Sequence, residues 1–247
     1  MTLIDPDTAA RDAVMKFAGA LAPVWQATVG RELLGLYLIG SLAHGGFSRR
    51  YSDIDAAVIT EAGLSPQTLD SLHRQAAALS TDWGPKISVF WTDRQFSIGR
   101  FPPLDRIDYL NCPVVLAERE RAIPARPAVQ EIRAYLRGAP FANWANRAQE
   151  FAAAVALEPN NRKSYLRALL YPARFCFSYM TGRMGSNDDA VAHLRRHAPA
   201  GLQLDSVERA LQCRRAAADP DSLFDLRGIL PAQIEACAAL LAAEPAS

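Results

Sequence analysis

The sequence predicts an α/β domain followed by an all-helical domain, and three observations predict it. Short apolar runs bounded by glycine or proline alternate with helical patterns in the first half, as in strands separated by helices. From about residue 128 onward the patterns are helical, and no convincing strand follows. Pro124 and Pro127 stand where the composition changes. We therefore expect an N-terminal mixed sheet with helices over 1–125 and a C-terminal helical bundle over 126–247.

The elements of the first half follow from local patterns. Apolar residues at helical spacing predict a first helix over Thr8–Thr28, capped by Asp7 or Thr8. A Ser-Pro pair, in which Ser is a good N-cap and Pro suits the first helical position, predicts a second helix over 66–79. Short apolar runs between turn residues predict four strands. These strands are Leu34–Ile39, Ile54–Ile59, Lys86–Trp91 and Val114–Leu116.

The second half is predicted to contain six helices, because its apolar residues recur at helical spacing. These segments are 128–137, 142–157, 161–181, 188–197, 204–217 and 231–243.

The composition is that of a globular protein and argues against two classes of partner. The 247 residues are 50% hydrophobic, and 27 Lys and Arg balance 26 Asp and Glu. This balance lacks the basic footprint of proteins that bind nucleic acid or anionic membranes. No apolar run approaches the roughly 20 residues of a membrane span, and Glu235 and Glu244 interrupt the alanine-rich end. We expect neither nucleic acid nor membrane as a partner.

The N-terminal residues and the cysteines indicate a cytoplasmic protein. Asp5 and Asp7 stand where a secretory leader would be basic. The cysteines are far apart and form no Cys-x-x-Cys pair, so we expect reduced thiols rather than a disulfide framework or a zinc site. The four are Cys112, Cys176, Cys213 and Cys237.

The stretch from residue 37 to 60 carries the chemistry. The first predicted strand ends in Gly40 and Ser41, and a short helix that opens there would leave its first amides free. Those amides and the Ser41 hydroxyl would form a cradle for phosphate oxygens. Gly45 and Gly46 permit a tight turn or a close approach of the backbone to a ligand.

Asp53 and Asp55 follow at the head of the second predicted strand. Residues i and i+2 of a strand face the same way, so both carboxylates are expected on one side. Adjacent carboxylates repel each other unless a cation lies between them, and Mg²⁺ with triphosphate oxygens is the natural occupant. The sequence therefore predicts Asp53 and Asp55 as the catalytic, metal-binding carboxylates of a site for a nucleoside triphosphate.

The pattern of Gly-Ser, eleven residues and then Asp-x-Asp resembles the signature of the nucleotidyltransferase superfamily, which shares its catalytic core with DNA polymerase β. Within it the chain is most similar to the aminoglycoside 3″-adenylyltransferases, because an apolar stretch and then Thr-Gly-Arg follow Arg174. The resemblance implies that Gly40, Ser41, Ser52 and Arg174 contact the nucleotide, most simply ATP. Arg174 is equally well explained as a surface arginine, with Gly182 as the C-cap of its helix.

Three positions depart from the family pattern. Lys86 stands where the family resemblance places a third carboxylate, and a charged lysine neither binds Mg²⁺ nor accepts a proton. Asn187 stands in place of a phosphate-contacting lysine, and Ser164 in place of an acidic residue near the substrate. Neither Asp82 nor Asp93 is a convincing substitute for the third carboxylate. These departures predict another acceptor or slow turnover.

The expected function is Mg²⁺-dependent transfer of a nucleoside monophosphate from an NTP to a hydroxyl of a small molecule that lies between the domains. The alternative is a catalytically impaired protein of the same fold with a regulatory or antitoxin-like role, which Lys86 favours. A nucleic-acid-modifying transferase is disfavoured by the net charge of +1.

His44 is a weak candidate for the general base. His193 and His197 share a helix face but are better explained as solvent-exposed.

Overall fold

The structure, a computed structural model, describes residues 6–243. The chain divides between Pro127 and Ala128 into two compact units. The first contains a five-stranded mixed sheet with helices, and the described residues of the second contain helices and no strand. The predicted fold class is therefore confirmed. Asp5 and Glu244, which entered the expectations about a leader and a membrane span, lie outside the described residues.

The first unit follows the predicted order of elements. Helix α1 begins at Pro6, so Asp7 and Thr8 lie inside its first turn rather than at a cap. Helix α1 ends at Val29. The other helices and strands of the first unit are β1 (Leu33–Ile39), α2 (Ser41–His44), β2 (Ile54–Thr60), α3 (Pro66–Leu79), β3 (Ile87–Asp93), β4 (Gly99–Arg100), α4 (Pro103–Asn111) and β5 (Val114–Glu118). The Ser65 hydroxyl accepts the Thr68 amide at the start of α3, which confirms the predicted cap.

The sheet has the strand order β4-β3-β2-β1-β5. Strand β1 is antiparallel to both neighbours, whereas β2 and β3 are parallel. Because β1 and β2 are antiparallel, the last residue of β1, Ile39, pairs with Asp55 near the start of β2. Asp55 in turn pairs with Ser88 of β3. The register therefore brings the end of β1, the start of β2 and the start of β3 to one edge of the sheet.

Both faces of the sheet are covered. One face packs against α1 and α3 through alternate residues, namely Leu36, Leu38, Ile54, Ala56, Val58 and Val89. The other face packs against Tyr109 of α4 through Tyr37, Ile39, Ala57 and Ile59. Asp55 has the parity of Ala57 and therefore belongs to the α4 side of the sheet.

Two features of this unit were not predicted, and several boundaries differ from the predicted ones. Helix α4 has nine residues and begins at the second of two consecutive prolines, so it is too short to show a clear helical pattern, and the two residues of β4 are too few to show a strand pattern. The third strand begins at Ile87 rather than Lys86, because residues Gly84–Lys86 form one turn of 3₁₀ helix.

The described residues of the second unit form six α-helices, close to those predicted. They are α5 (Val129–Arg137), α6 (Ala139–Ala153), α7 (Arg162–Thr181), α8 (Asn187–His197), α9 (Leu204–Arg215) and α10 (Leu230–Ala242). The second helix lies earlier than the predicted 142–157, and a 3₁₀ segment over Pro220–Ile229 was not predicted. Aromatic rings stack between α6 and α7, where the centroids of Trp144 and Tyr171 are 4.9 Å apart. Within residues 6–243, none of the helices combines the length and the apolar character needed to span a membrane.

Candidate functional site

The Gly40 turn joins β1 to α2 in a conformation that only glycine adopts readily. Gly40 has φ 69° and ψ −153°, a region that is essentially closed to residues with a Cβ. Its carbonyl accepts the amides of Ala43 and His44 at 2.9 and 3.0 Å. The amides of Ser41 and Leu42 are the first two of this helical turn, so the turn itself offers them no acceptor. These two amides are the donors that the turn can present to an anion.

The Asp55 carboxylate lies directly against Gly40. A Cβ built on Gly40 would come within 2.1 Å of Asp55 Oδ2, far closer than any real contact. The antiparallel pairing of Ile39 with Asp55 produces this approach, because Gly40 is the next residue along the chain. Glycine is therefore required at position 40 for two independent reasons, its backbone angles and the carboxylate beside it.

Ser41 and Ser52 connect the turn to the following loop. The Ser41 hydroxyl lies 3.1 Å from that of Ser52, and Ser52 Oγ accepts the Ser48 amide at 3.0 Å. Ser52 is buried, and its own amide donates to the Ser48 carbonyl at 2.8 Å. Ser52 thus fixes the chain just before the aspartates, a role that its sequence position did not indicate.

Asp53 immediately precedes β2, and both it and Asp55 are partly exposed. Carboxylate oxygens at such positions suit a hard divalent cation such as Mg²⁺. Within residues 6–243, no three His, Cys, Asp or Glu side chains are grouped so that they could hold a metal ion. A metal at this edge would therefore take two protein carboxylates at most, with its other oxygens from nucleotide and water.

Lys86 approaches the loop that precedes Asp53. Its ammonium donates to the Arg49 carbonyl at 2.6 Å and lies 5.2 Å from the centroid of the Trp83 ring. Because Ile87 pairs with Ile54 in parallel register, Lys86 lies beside Asp53 along the sheet edge. The lysine at the position where the sequence resemblance places a third carboxylate is thus held near the predicted site by a backbone carbonyl.

Asp93 belongs to the opposite end of β3. Its register partner is Thr60, five residues beyond Asp55 on β2. Burial acts to raise the pKa of Asp93, but hydrogen bonds from the Ser97 hydroxyl and amide and from the Ile98 amide outweigh it, so the pKa is lowered. This carboxylate closes the turn between β3 and β4 and does not substitute for the missing one.

Asp108 on α4 is the site residue that the sequence did not predict. It is only 2% exposed, and its Oδ2 accepts the Gly40 amide at 2.5 Å. Cys112 Sγ lies 3.4 Å from Oδ1, and burial together with this carboxylate raises the pKa of the Cys112 thiol to about 12. The sequence signal that could have revealed Asp108 is an aspartate between the apolar residues Ile107 and Tyr109, at a position that faces the core once α4 is recognised as a helix.

His44 points inward from the end of α2. Its side chain is 13% exposed, its Nε2 lies 3.9 Å from Asp108 Oδ2, and its Nδ1 is buried. Both ring nitrogens therefore face the protein, which disfavours His44 as the general base.

The remaining predicted residues lie in the second unit. Arg174 is exposed on α7, and Gly182 is the C-cap of that helix at φ 66°. Both observations agree with the alternative interpretation of Arg174 as a surface arginine. The rings of His193 and His197 on α8 are 4.7 Å apart. Burial, then His197 and neighbouring arginines, lower the pKa of His193, and such cationic surroundings oppose metal binding. A contact of Arg174 with nucleotide stays a prediction.

Comparison with known proteins supports the fold assignment. No protein-family model and no curated protein sequence matches the chain. The fold is similar to that of spectinomycin adenyltransferase AAD(9) from Enterococcus faecialis, whose crystal structure contains ATP and spectinomycin. The TM-score is 0.68 at 12% sequence identity, and the match covers 91% of this chain and 99% of that one. At this identity the similarity shows the fold, and the resemblance to nucleotidyltransferases is confirmed at that level.

Proposed function

We propose that this nucleotidyltransferase-fold protein transfers a nucleoside monophosphate from an NTP, preferentially ATP, to a hydroxyl of a small molecule with the help of Mg²⁺. The observation that carries the proposal is the contact of the Asp55 carboxylate with the Gly40 turn. In this proposal Asp55 is a metal ligand next to the turn, and the Ser41 and Leu42 amides at the start of α2 would donate to phosphate oxygens. An anion cradle and a cation ligand at one sheet edge suit a metal-bound triphosphate.

The proposed reaction is a single displacement at the α-phosphorus. The acceptor hydroxyl oxygen forms a bond to that phosphorus, the bond to the bridging oxygen of the β-phosphate breaks, and pyrophosphate leaves with its electrons. The hydroxyl proton passes to solvent or to a base supplied with the acceptor. Mg²⁺, when bound, supplies charge that offsets the negative charge on the phosphates.

The protein residues have separate roles in this proposal. Asp53 and Asp55 hold the metal, and the Ser41 amide and hydroxyl orient the phosphates. Ser52 supports Ser41 through the hydrogen bond between their hydroxyls.

The acceptor that we propose is a hydroxylated small molecule other than an aminoglycoside. The similar enzyme AAD(9) was crystallised with spectinomycin. This chain has Lys86, Ser164 and Asn187 at the three positions where the family pattern carries functional side chains. A polycationic acceptor favours an acidic surrounding, and Lys86 adds a positive charge.

Calorimetry tests the nucleotide site directly. We would titrate wild-type protein with ATP and GTP, with and without Mg²⁺, beside the double variant Asp53→Asn/Asp55→Asn and the control Asp70→Asn, which changes an exposed carboxylate on α3. Mg²⁺-dependent binding by wild type and the control, and its loss in the double variant, is the expected result. Pyrophosphate release with a panel of hydroxylated compounds then identifies the acceptor. Absence of nucleotide binding by wild type would refute the proposal.

A second candidate function is nucleotide-dependent regulation without turnover, and the placement of Lys86 beside Asp53 favours it. Under this candidate, wild type binds Mg·ATP but releases no pyrophosphate with any acceptor. Lys86→Glu would separate the two candidates, because gain of turnover in this variant would mean that the lysine blocks an otherwise competent site.

A further inference from the structure

Asp108 contacts both ends of the one-turn helix α2. Its Oδ2 accepts the amide of Gly40, the residue before the helix, and lies 3.9 Å from Nε2 of His44, the last residue of the helix. A single carboxylate from α4 therefore holds the whole turn that follows β1.

The burial of Asp108 indicates that its carboxyl group has a purpose other than packing. A buried carboxylate is unfavourable unless hydrogen bonds or opposite charge compensate for the loss of water. Here the compensating groups include the Gly40 amide, the His44 imidazole and the Cys112 thiol. Its neighbours Ile107 and Tyr109 are buried in the core, and the Tyr109 hydroxyl donates to the Ala122 carbonyl, so packing alone would be met by an apolar residue at position 108.

Gly40 is consequently held from two sides. Asp108 binds its amide, and Asp55 Oδ2 lies against its Cα. The Gly40 amide is already used and is not a phosphate donor, so that role falls to Ser41 and Leu42. A shift of Asp108 would move Gly40, and with it both the phosphate donors and the support of Asp55.

We propose that Asp108 is a positioning residue for the nucleotide site, acting through Gly40 without touching the nucleotide; the inference rests on the proposed function. It assigns to α4 a part in the site that the Gly-Ser and Asp-x-Asp pattern does not contain.

Two readouts on the full chain test this role. The first is hydrogen exchange of the Gly40 amide, resolved by NMR, and the second is calorimetric affinity for Mg·ATP. Both are measured on wild type, Asp108→Ala, Asp108→Asn and the control Asp70→Asn, with urea unfolding to verify that each variant is folded. Asp108→Ala is expected to lose protection of the Gly40 amide and to bind Mg·ATP at least about tenfold more weakly. Asp108→Asn keeps an acceptor oxygen and is expected to recover much of both.

Two results would overturn the inference. One is unchanged exchange at Gly40 in Asp108→Ala, and the other is lost protection with unchanged Mg·ATP affinity. If Asp108→Ala does not fold, Asp108→Leu decides, because leucine has a similar branched shape but no acceptor oxygen, so an unchanged Gly40 exchange rate in this variant refutes the role. If wild type itself binds no Mg·ATP, the proposed function fails, and the positioning role fails with it. Hydrogen exchange of the Gly40 amide still decides whether Asp108 holds the turn.

Discussion

The replacement Gly40→Ala is the sharpest test of the site geometry. An alanine Cβ would lie 2.1 Å from Asp55 Oδ2, so the carboxylate must retreat by about 1 Å to reach even the 3.0 Å below which Cβ contacts are essentially never seen. The backbone angles of Gly40 add strain of roughly 1–3 kcal/mol, because a residue with a Cβ avoids that region. Both effects act at the turn that carries the proposed phosphate donors.

We expect Gly40→Ala to lose both stability and nucleotide affinity. Urea unfolding should show a loss of about 1–3 kcal/mol. Calorimetry should show Mg·ATP affinity reduced by at least about tenfold, which corresponds to about 1.4 kcal/mol of lost binding free energy.

Gly45→Ala is the matched control for this experiment. Gly45 ends the same one-turn helix at φ 97° and ψ 171°, in the same region of backbone angles, and no atom lies within 4 Å of its built Cβ. It should lose similar stability through backbone strain while keeping Mg·ATP affinity near that of wild type. The reasoning fails if Gly40→Ala binds Mg·ATP like wild type, or if Gly45→Ala weakens binding equally.

Three further predictions concern hydrogen bonds that hold the fold. Asp93→Asn should lower the free energy of unfolding by about 1–3 kcal/mol at pH 7. Because the pKa of Asp93 is lowered in the folded protein, its charge stabilises the fold at pH values above the ordinary pKa of 3.8, and this stabilisation is lost as the pH falls through the folded pKa. The difference in unfolding free energy between wild type and Asp93→Asn, measured in urea, should therefore narrow in acid. Ser52→Ala should cost about 1–3 kcal/mol in the same assay, because it leaves the Ser48 amide without the buried hydroxyl that accepts it. Tyr165→Phe should cost about 1 kcal/mol by calorimetric unfolding, through loss of the 2.8 Å bond to the Leu223 carbonyl.

Each of these has a result that would contradict it. A stability gap for Asp93→Asn that is constant from pH 7 to pH 3 would mean that its charge is not stabilised in the fold. An unchanged midpoint for Ser52→Ala would mean that water readily replaces the hydroxyl. A neutral Tyr165→Phe would mean that the Leu223 carbonyl finds another donor.

The fold class was predictable because strong local patterns agree with it. The buried run that forms β1 and the Ser-Pro start of α3 need no long-range information, and both were confirmed. Helix α4 was missed because its nine residues, which begin at Pro103, show too little periodicity. The sequence pattern places Lys86 in a strand, whereas the structure places it in a 3₁₀ turn that is stabilised by a hydrogen bond from its amide to the Trp83 carbonyl. No local sequence pattern encodes that bond.

The candidate site divides in the same way. The sequence by itself determined the Gly40 turn and the spacing of Asp53 and Asp55, because both depend on residue type and on the alternation of a strand. Only the tertiary structure decided that Asp55 lies against Gly40 and that Asp108 of α4 accepts the Gly40 amide. Residues 40 and 108 are brought together by the packing of α4 on the sheet, a contact over 68 positions that local patterns do not record.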